Sequence, residues 1–244
     1  MTALPTRADE AWRYTPAPVL AGLAALPDAE QVVVAAGAQQ ALYRSLADEG
    51  IATLSVTLAP GARLEAFFLL AGAGYRRIDL DVTLAEGAHF EMGCVAVACE
   101  GESAEVVTRI RHVAPGATSN QLVRAVAAGN GVVNVLGRID VAEDAQQTDA
   151  ALGIKGLLQG ARATINAKPE LEIFADDVKC AHGCAIGQLD EAALFYAQQR
   201  GLPLPAAQAL LVQAFAAEAF REAEDDAARE VLETQAAAAI RGAL

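Results

Sequence analysis

Leu58-Ala59-Pro60-Gly61-Ala62-Arg63 is followed by three variations on itself: Leu84-Ala85-Glu86-Gly87-Ala88-His89, Val113-Ala114-Pro115-Gly116-Ala117-Thr118 and Val141-Ala142-Glu143-Asp144-Ala145-Gln146. Their first residues lie 26, 29 and 28 positions apart. A looser fifth copy is Leu157-Leu158-Gln159-Gly160-Ala161-Arg162. Ahead of three of these turns stands a piece of alternating polarity, Arg77-Ile78-Asp79, Arg109-Ile110-Arg111 and Arg138-Ile139-Asp140, which fits the two-residue period of a strand. A repeat of this length marks a solenoid, because one unit cannot bury its apolar face alone and must stack on its neighbours. The abundance of Val, Ile, Thr and Gly makes each unit a coil of short strands. We therefore expect a β-helix-like core over residues 32–186, preceded by an N-terminal arm with a short helical segment over 1–31. A β-sandwich with coincidentally similar turns is the competing architecture.

From Gly187 the texture changes. Asp190 can cap a helix running through Leu194, Phe195, Tyr196 and Gln199, ended by Gly201. After Pro203 and Pro205, residues 206–221 place Leu211, Phe215 and Ala219 on one helical face. A last helix is expected over 226–240, with Leu232, Ala236 and Ala239 as its apolar stripe. This helical domain, 187–244, either covers the last coil or docks another subunit.

The chain has 244 residues, 54% of them apolar, and a net charge of −13. That charge excludes binding along a phosphate backbone, which needs clustered Lys and Arg. Residues 1–10 carry Pro5, Arg7, Asp9 and Glu10 instead of a basic segment leading into an apolar one, so no secretory signal is read there. The longest apolar stretch, 64–75, is interrupted at Glu65 and falls short of the ~20 residues that span a bilayer. The expected location is the cytoplasm, where four cysteines are free thiols or metal ligands, not disulfides.

The densest reactive cluster is Lys179-Cys180-Ala181-His182-Gly183-Cys184. In an extended strand Cys180, His182 and Cys184 project from one face, roughly 6.6 Å apart along the backbone, a set that could converge on iron or zinc. The same residues could equally be two small apolar thiols and a hydrogen-bonded histidine. Cys94 and Cys99, five positions apart, fall on opposite faces of another strand and are assigned to the core. No phosphate loop, His-Glu-x-x-His helix or Gly-x-Ser-x-Gly elbow occurs. Asp79, Asp81 and Asp140 could be imagined as the paired carboxylates of a polysaccharide-cleaving β-helix, but acidic residues at strand ends are usually just solvated.

One longer pattern is specific. Lys168-Pro169-Glu170-Leu171-Glu172-Ile173, then 175–183 with Asp176-Asp177-Val178-Lys179-Cys180-Ala181-His182-Gly183, then Gly187-Gln188-Leu189-Asp190-Glu191 and Leu194-Phe195-Tyr196 through Arg200-Gly201 together resemble the C-terminal signature of the SufD family of iron–sulfur cluster assembly proteins. Glu10-Ala11-Trp12-Arg13-Tyr14-Thr15 resembles the family's Trp-Arg-Tyr-Thr element, and 145–150 the segment before its last coils.

The resemblance implies a right-handed parallel β-helix with a small C-terminal helical domain. It implies a non-catalytic scaffold subunit that pairs with a SufB-like subunit and docks a SufC-like ATPase, where ATP would be hydrolysed. Leu194, Phe195, Tyr196, Leu211 and Phe215 would then belong to the docking surface. His182 matches the family histidine at the assembly interface and is the expected metal ligand, and Cys180 matches a neighbouring family cysteine. In SufB the segment matching Gln147-Thr148-Asp149 carries a sulfur-accepting cysteine, so Thr148 here favours the SufD role. Cys184 and Ala185 depart from the family's Ala-Thr, adding a thiol beside His182. No permanently bound cofactor is implied, only a transient cluster at the interface. Apart from the resemblance, the exposed sheet edge of a β-helix allows a homodimer when the SufB-like subunit is absent, and a stand-alone cluster- or zinc-binding protein using Cys180, His182 and Cys184 is the alternative.

Overall fold

The computed structural model describes residues 4–243; residues 1–3 of the expected arm and residue 244 of the expected helical domain lie outside the described residues. Odd-numbered strands β1 (Glu30–Val34), β3 (Gly50–Leu58), β5 (Tyr75–Leu84), β7 (Ser103–His112), β9 (Val132–Val141) and β11 (Thr164–Ile173) form one sheet. Even-numbered strands β2 (Gln39–Leu46), β4 (Arg63–Leu70), β6 (His89–Ala98), β8 (Thr118–Ala128), β10 (Asp149–Gln159) and β12 (Lys179–Gly187) form the other. Each strand pairs in parallel with the strand two positions away in the chain. The fold is a parallel β-helix. The competing sandwich would need antiparallel sheets.

The quoted turns are the corners leading from odd to even strands, and they stack. The Gly37 N–H donates to Pro60 O (3.0 Å), Gly61 to Glu86 O (2.8 Å), Gly87 to Pro115 O (3.0 Å) and Gly116 to Gln146 O (2.9 Å). These glycines share φ between 62° and 70°, the left-handed conformation that a Cβ penalises. In the next corner Gln147 adopts φ 62° and donates to Asp177 O. The alanines Ala62, Ala88, Ala117 and Ala145 are wholly buried at these corners. Thus the repeat is a corner motif, with glycine for the turn and alanine for the space behind it.

Two details of the repeat differ from the sequence alignment. Leu84 pairs with His112 and His112 with Val141, so the third unit begins one residue earlier, at His112. Arg77 pairs with Glu105, whereas Arg109 stacks on Asp81 and Arg138, which sets Arg77-Ile78-Asp79 four residues out of step. The loose fifth copy lies on the opposite row of corners, where Gly129 N–H donates to Gln159 O (3.2 Å).

Alternate residues of each strand fill the lumen: Leu64, Ala66, Phe68 and Leu70 of β4, and Phe90, Met92, Cys94 and Ala96 of β6. One stretch of the lumen is polar. Thr108 donates to Gln121 (2.7 Å), and the His112 Nε2 meets Ser119 Oγ at 2.9 Å. Burial pushes His112 down to about 4, so its ring is neutral near pH 7.

Among the described residues the other elements are α1 (Ala17–Gly22) in the arm, then α2 (Glu191–Gln199), α3 (Leu204–Ala217) and α4 (Asp226–Ala243), with 3-10 turns at Glu10–Trp12 and Glu218–Phe220. As expected, Asp190 caps α2 by accepting from the Ala192 N–H at 2.8 Å. The helices do not cover the last coil. They fold back along the outer face of the even sheet, where Val212, Ala216, Phe220, Leu232, Ala236 and Ile240 bury the outward side chains Phe67, Leu69, Val95, Val97 and Val126. The buried ridge of α3 is therefore Ala207, Val212 and Ala216, and Leu211 and Phe215 are only partly buried. Contact is closest at Gly93: a Cβ there would collide with the Ala219 carbonyl oxygen and stand 2.6 Å from the Phe67 ring.

Candidate functional site

Residue pairing fixes the orientation of the reactive cluster. On β12, Cys180 lies opposite Ala150, His182 opposite Leu152 and Cys184 opposite Ile154, and all three partners are buried in the lumen. Cys180, His182 and Cys184 therefore share the lumen-side face of the last strand, with Cys180 half-buried and the other two exposed. Burial pushes both thiols upward from their ordinary range, which favours the protonated form. Among the described residues no three His, Cys, Asp or Glu side chains converge closely enough to hold a metal ion. The strand lines the three side chains up without closing them around a centre.

This coil is open. Among the described residues strand β11 pairs only with β9 and β12 only with β10, leaving the outer edge of each sheet unpaired. Apolar Ile173, Phe174 and Ile186 are exposed there. An unpaired edge beside exposed apolar side chains is a template for another chain's strands. The Thr148 hydroxyl, by contrast, is buried and donates to Ala145 O at 2.8 Å, a structural role at the corner before β10.

The helical surface divides into two layers. Phe195 and Tyr196 are exposed, together with Leu202, Leu204, Leu210 and Val231. Leu194, Leu211 and Phe215 are partly buried, and Phe215 carries the Arg124 guanidinium 5.5 Å above its ring. Cys94 is core, but Cys99 lies in the turn after β6, donating to Glu102 at 3.0 Å. Asp79 accepts from Arg77 at 2.8 Å, Asp140 from Arg109 at 2.6 Å, and Asp81 from Arg111. Each is held in a structural ion pair.

Sequence reasoning missed the strongest polar centre. On the outer face of the odd sheet, the fully buried Arg77 donates to Glu105 (2.7 Å), Asp79 (2.8 Å) and the Ala11 carbonyl (2.8 Å), while its guanidinium stacks 3.7 Å from the Trp12 ring. Glu105 also accepts from Thr15 (2.8 Å), Tyr75 (2.7 Å) and Asn134 (2.7 Å). Lys168 reaches Glu10 at 2.5 Å. Two distant pieces of the family-like pattern, Glu10 to Thr15 and Lys168 onward, are thus physically joined, and their joint presence in the sequence was the available signal.

The family described as "SUF system FeS cluster assembly, SufBD core domain" matches residues 28–215. The chain is 32% identical over 163 residues to the iron–sulfur cluster assembly protein SufD of Escherichia coli, covering 67% of this chain and 38% of that one. It is 42% identical over 123 residues to the chloroplastic protein ABCI7 of Arabidopsis thaliana, covering 48% and 26%. With a SufBD family protein of Synechocystis it shares 31% identity over 193 residues, covering 77% and 43%. The matched segments thus span less than half of each of these relatives. The chain belongs to the SufBD core family of the SUF iron–sulfur cluster assembly system, as a SufD-type member.

Proposed function

We propose that this chain is a scaffold subunit that joins a SufB-like subunit through the open coil of β11 and β12 and a SufC-like ATPase through α2 and α3. The observation carrying this reading is the coil without a cap, which presents Cys180, His182 and Cys184 where an incoming strand would lie beside them. The chain itself is not catalytic in this reading, holds no permanent cofactor and acts in the cytoplasm. No helix is long and apolar enough to cross a membrane among the described residues. The nascent iron–sulfur cluster is cargo, met by His182 from this side of the interface and by the partner from the other. An imidazole there can ligate iron or carry a proton. Phe195 and Tyr196 make the exposed apolar anchor for the ATPase, backed by Leu194, Leu211 and Phe215. A second copy of this chain would compete for the same edge when the SufB-like subunit is absent.

Anaerobic co-purification with both partners tests the two surfaces separately. Ile186→Asp sets a charge on the exposed apolar end of the lumen and is expected to lose the SufB-like subunit while keeping the ATPase. The double variant Phe195→Asp, Tyr196→Asp should do the reverse. Retention of both partners by both variants overturns the assignment.

The lumen-side thiol of Cys184 would serve as a second ligand beside His182 in this scheme. Cys184→Ala is then expected to lower the cluster yield of the reconstituted complex several-fold, read from iron content and visible absorbance. An unchanged yield removes Cys184 from the site.

A further inference from the structure

The segment joining α3 to α4 is held against the solenoid along its length, beginning with the Arg124–Glu218 ion pair at 2.6 Å. The Ala219 carbonyl presses on β6 at Gly93, with no room for a side chain. Beyond it, the Glu224 N–H donates to Glu65 (3.2 Å) and the Asp225 N–H to the Tyr43 hydroxyl (3.2 Å), while that hydroxyl donates to Glu65. Beside these bonds lies a cavity of about 160 Å³, lined on the sheet side by Arg63, Glu65, His89 and Glu91 and on the loop side by Glu222 and Glu224. Four carboxylates thus meet across one interface.

Their compensation is incomplete. Arg221 pairs with Glu222 at 2.8 Å, leaving Arg63 as the other cation at the cavity. Burial and the Arg63 charge push His89 downward, so it stays neutral near pH 7, with its Nδ1 2.7 Å from Thr118 Oγ1. Glu91 receives one hydrogen bond, from Asn120 at 2.7 Å. Burial pushes its carboxyl up to about 7, with the Glu222 and Glu65 charges acting in the same direction against the Asn120 bond and Arg221.

We infer that Glu91 is a proton-operated latch for the helical unit: protonated, it lets the 221–225 segment close over β4 and β6, and ionised, it pushes Glu222 and Glu224 away. Opening returns Glu91 to water and to its ordinary range. A carboxyl raised in the closed state disfavours closure increasingly as pH climbs from about 4.5 to about 7, and the effect is constant above that. Acidification below neutrality locks the helices to the solenoid, and neutral to alkaline pH loosens them. This inference stands apart from the choice of partners, because it concerns a contact within one chain.

Amide hydrogen exchange of the full chain, corrected for intrinsic rates, reads the latch directly. Protection of the amides of Glu224 and Asp225 is expected to fall roughly tenfold from pH 5.5 to pH 7.5, while strands β7 to β10 hold theirs. The isosteric Glu91→Gln should keep high protection at both values. Carbon-detected titration of the Glu91 carboxyl in the unmodified chain gives a second reading, with a midpoint near 7 expected. A fall of the same size in Glu91→Gln, or a midpoint below 5, overturns the latch.

Discussion

Glu105→Ala is expected to destabilise the protein by about 3–5 kcal/mol, the range found when one partner of a buried ion pair is removed. The side chain is almost wholly enclosed, and four donors depend on it: Arg77, Tyr75, Thr15 and Asn134. Arg77, itself fully buried, would keep Asp79 and the Ala11 carbonyl but lose its enclosed counter-charge. Urea unfolding measures the loss, and a melting temperature lower by roughly 10 °C should accompany it. Trp12 is the only tryptophan of the chain, and it is buried against Arg77, so its fluorescence reports the arm by itself. A red-shifted spectrum in native buffer would mean that the arm has lifted from the odd sheet. A loss below about 1 kcal/mol with an unmoved spectrum would contradict a role for the Arg77–Glu105 pair as the clasp that holds the arm. The double variant Arg77→Met, Glu105→Gln should recover part of the stability, since no charge is then stranded.

Phe220→Ala is the second large effect, and it acts on the opposite face. Phe220 is wholly buried between the helices and the even sheet, edge-on to Phe67 with ring centroids 6.4 Å apart. Truncating a buried phenylalanine costs about 3–5 kcal/mol, in lost transfer energy and in the cavity left behind. The expected outcome is a protein whose helices detach while the solenoid persists. It should bind a hydrophobic dye more strongly and lose capture of the ATPase, and its Trp12 spectrum should be unchanged. Simultaneous loss of the Trp12 signal would mean that the helices and the arm unfold as one cooperative unit.

The two variants separate what the sequence made legible from what it hid. The corners were legible because those at Gly37, Gly61, Gly87 and Gly116 each set a left-handed glycine directly before an alanine, which leaves Gly-Ala written at a near-regular interval. The one-residue misalignment at His112 arose because the Val113 corner is longer than the one before it, and loop length leaves no periodic mark. The lateral packing of the helices was hidden, although Phe67-Phe68-Leu69-Leu70 carried a sign of it: a strand apolar on both faces must be covered on both. The common face of Cys180, His182 and Cys184 followed from the two-residue period alone. The clasp was invisible to pattern because Arg77 and Glu105 read as ordinary polar positions of an exposed strand. Only the register that sets them opposite each other, beneath an arm from far upstream, makes them buried.

The same arm bears on the order in which the molecule can fold. Neighbouring coils join residues about one repeat apart in the chain, so strands can add to a growing stack by closing short loops, each at a similar entropic cost. The arm has no such near neighbour. Its contacts bridge 66 residues to Arg77, 90 to Glu105 and 158 to Lys168, and its binding surface exists only after β5, β7, β9 and β11 have stacked. Although it precedes those strands in the chain, the arm can find its place only after they have stacked. During synthesis the outer face of the odd sheet therefore waits for a segment that emerged long before the strands it belongs on.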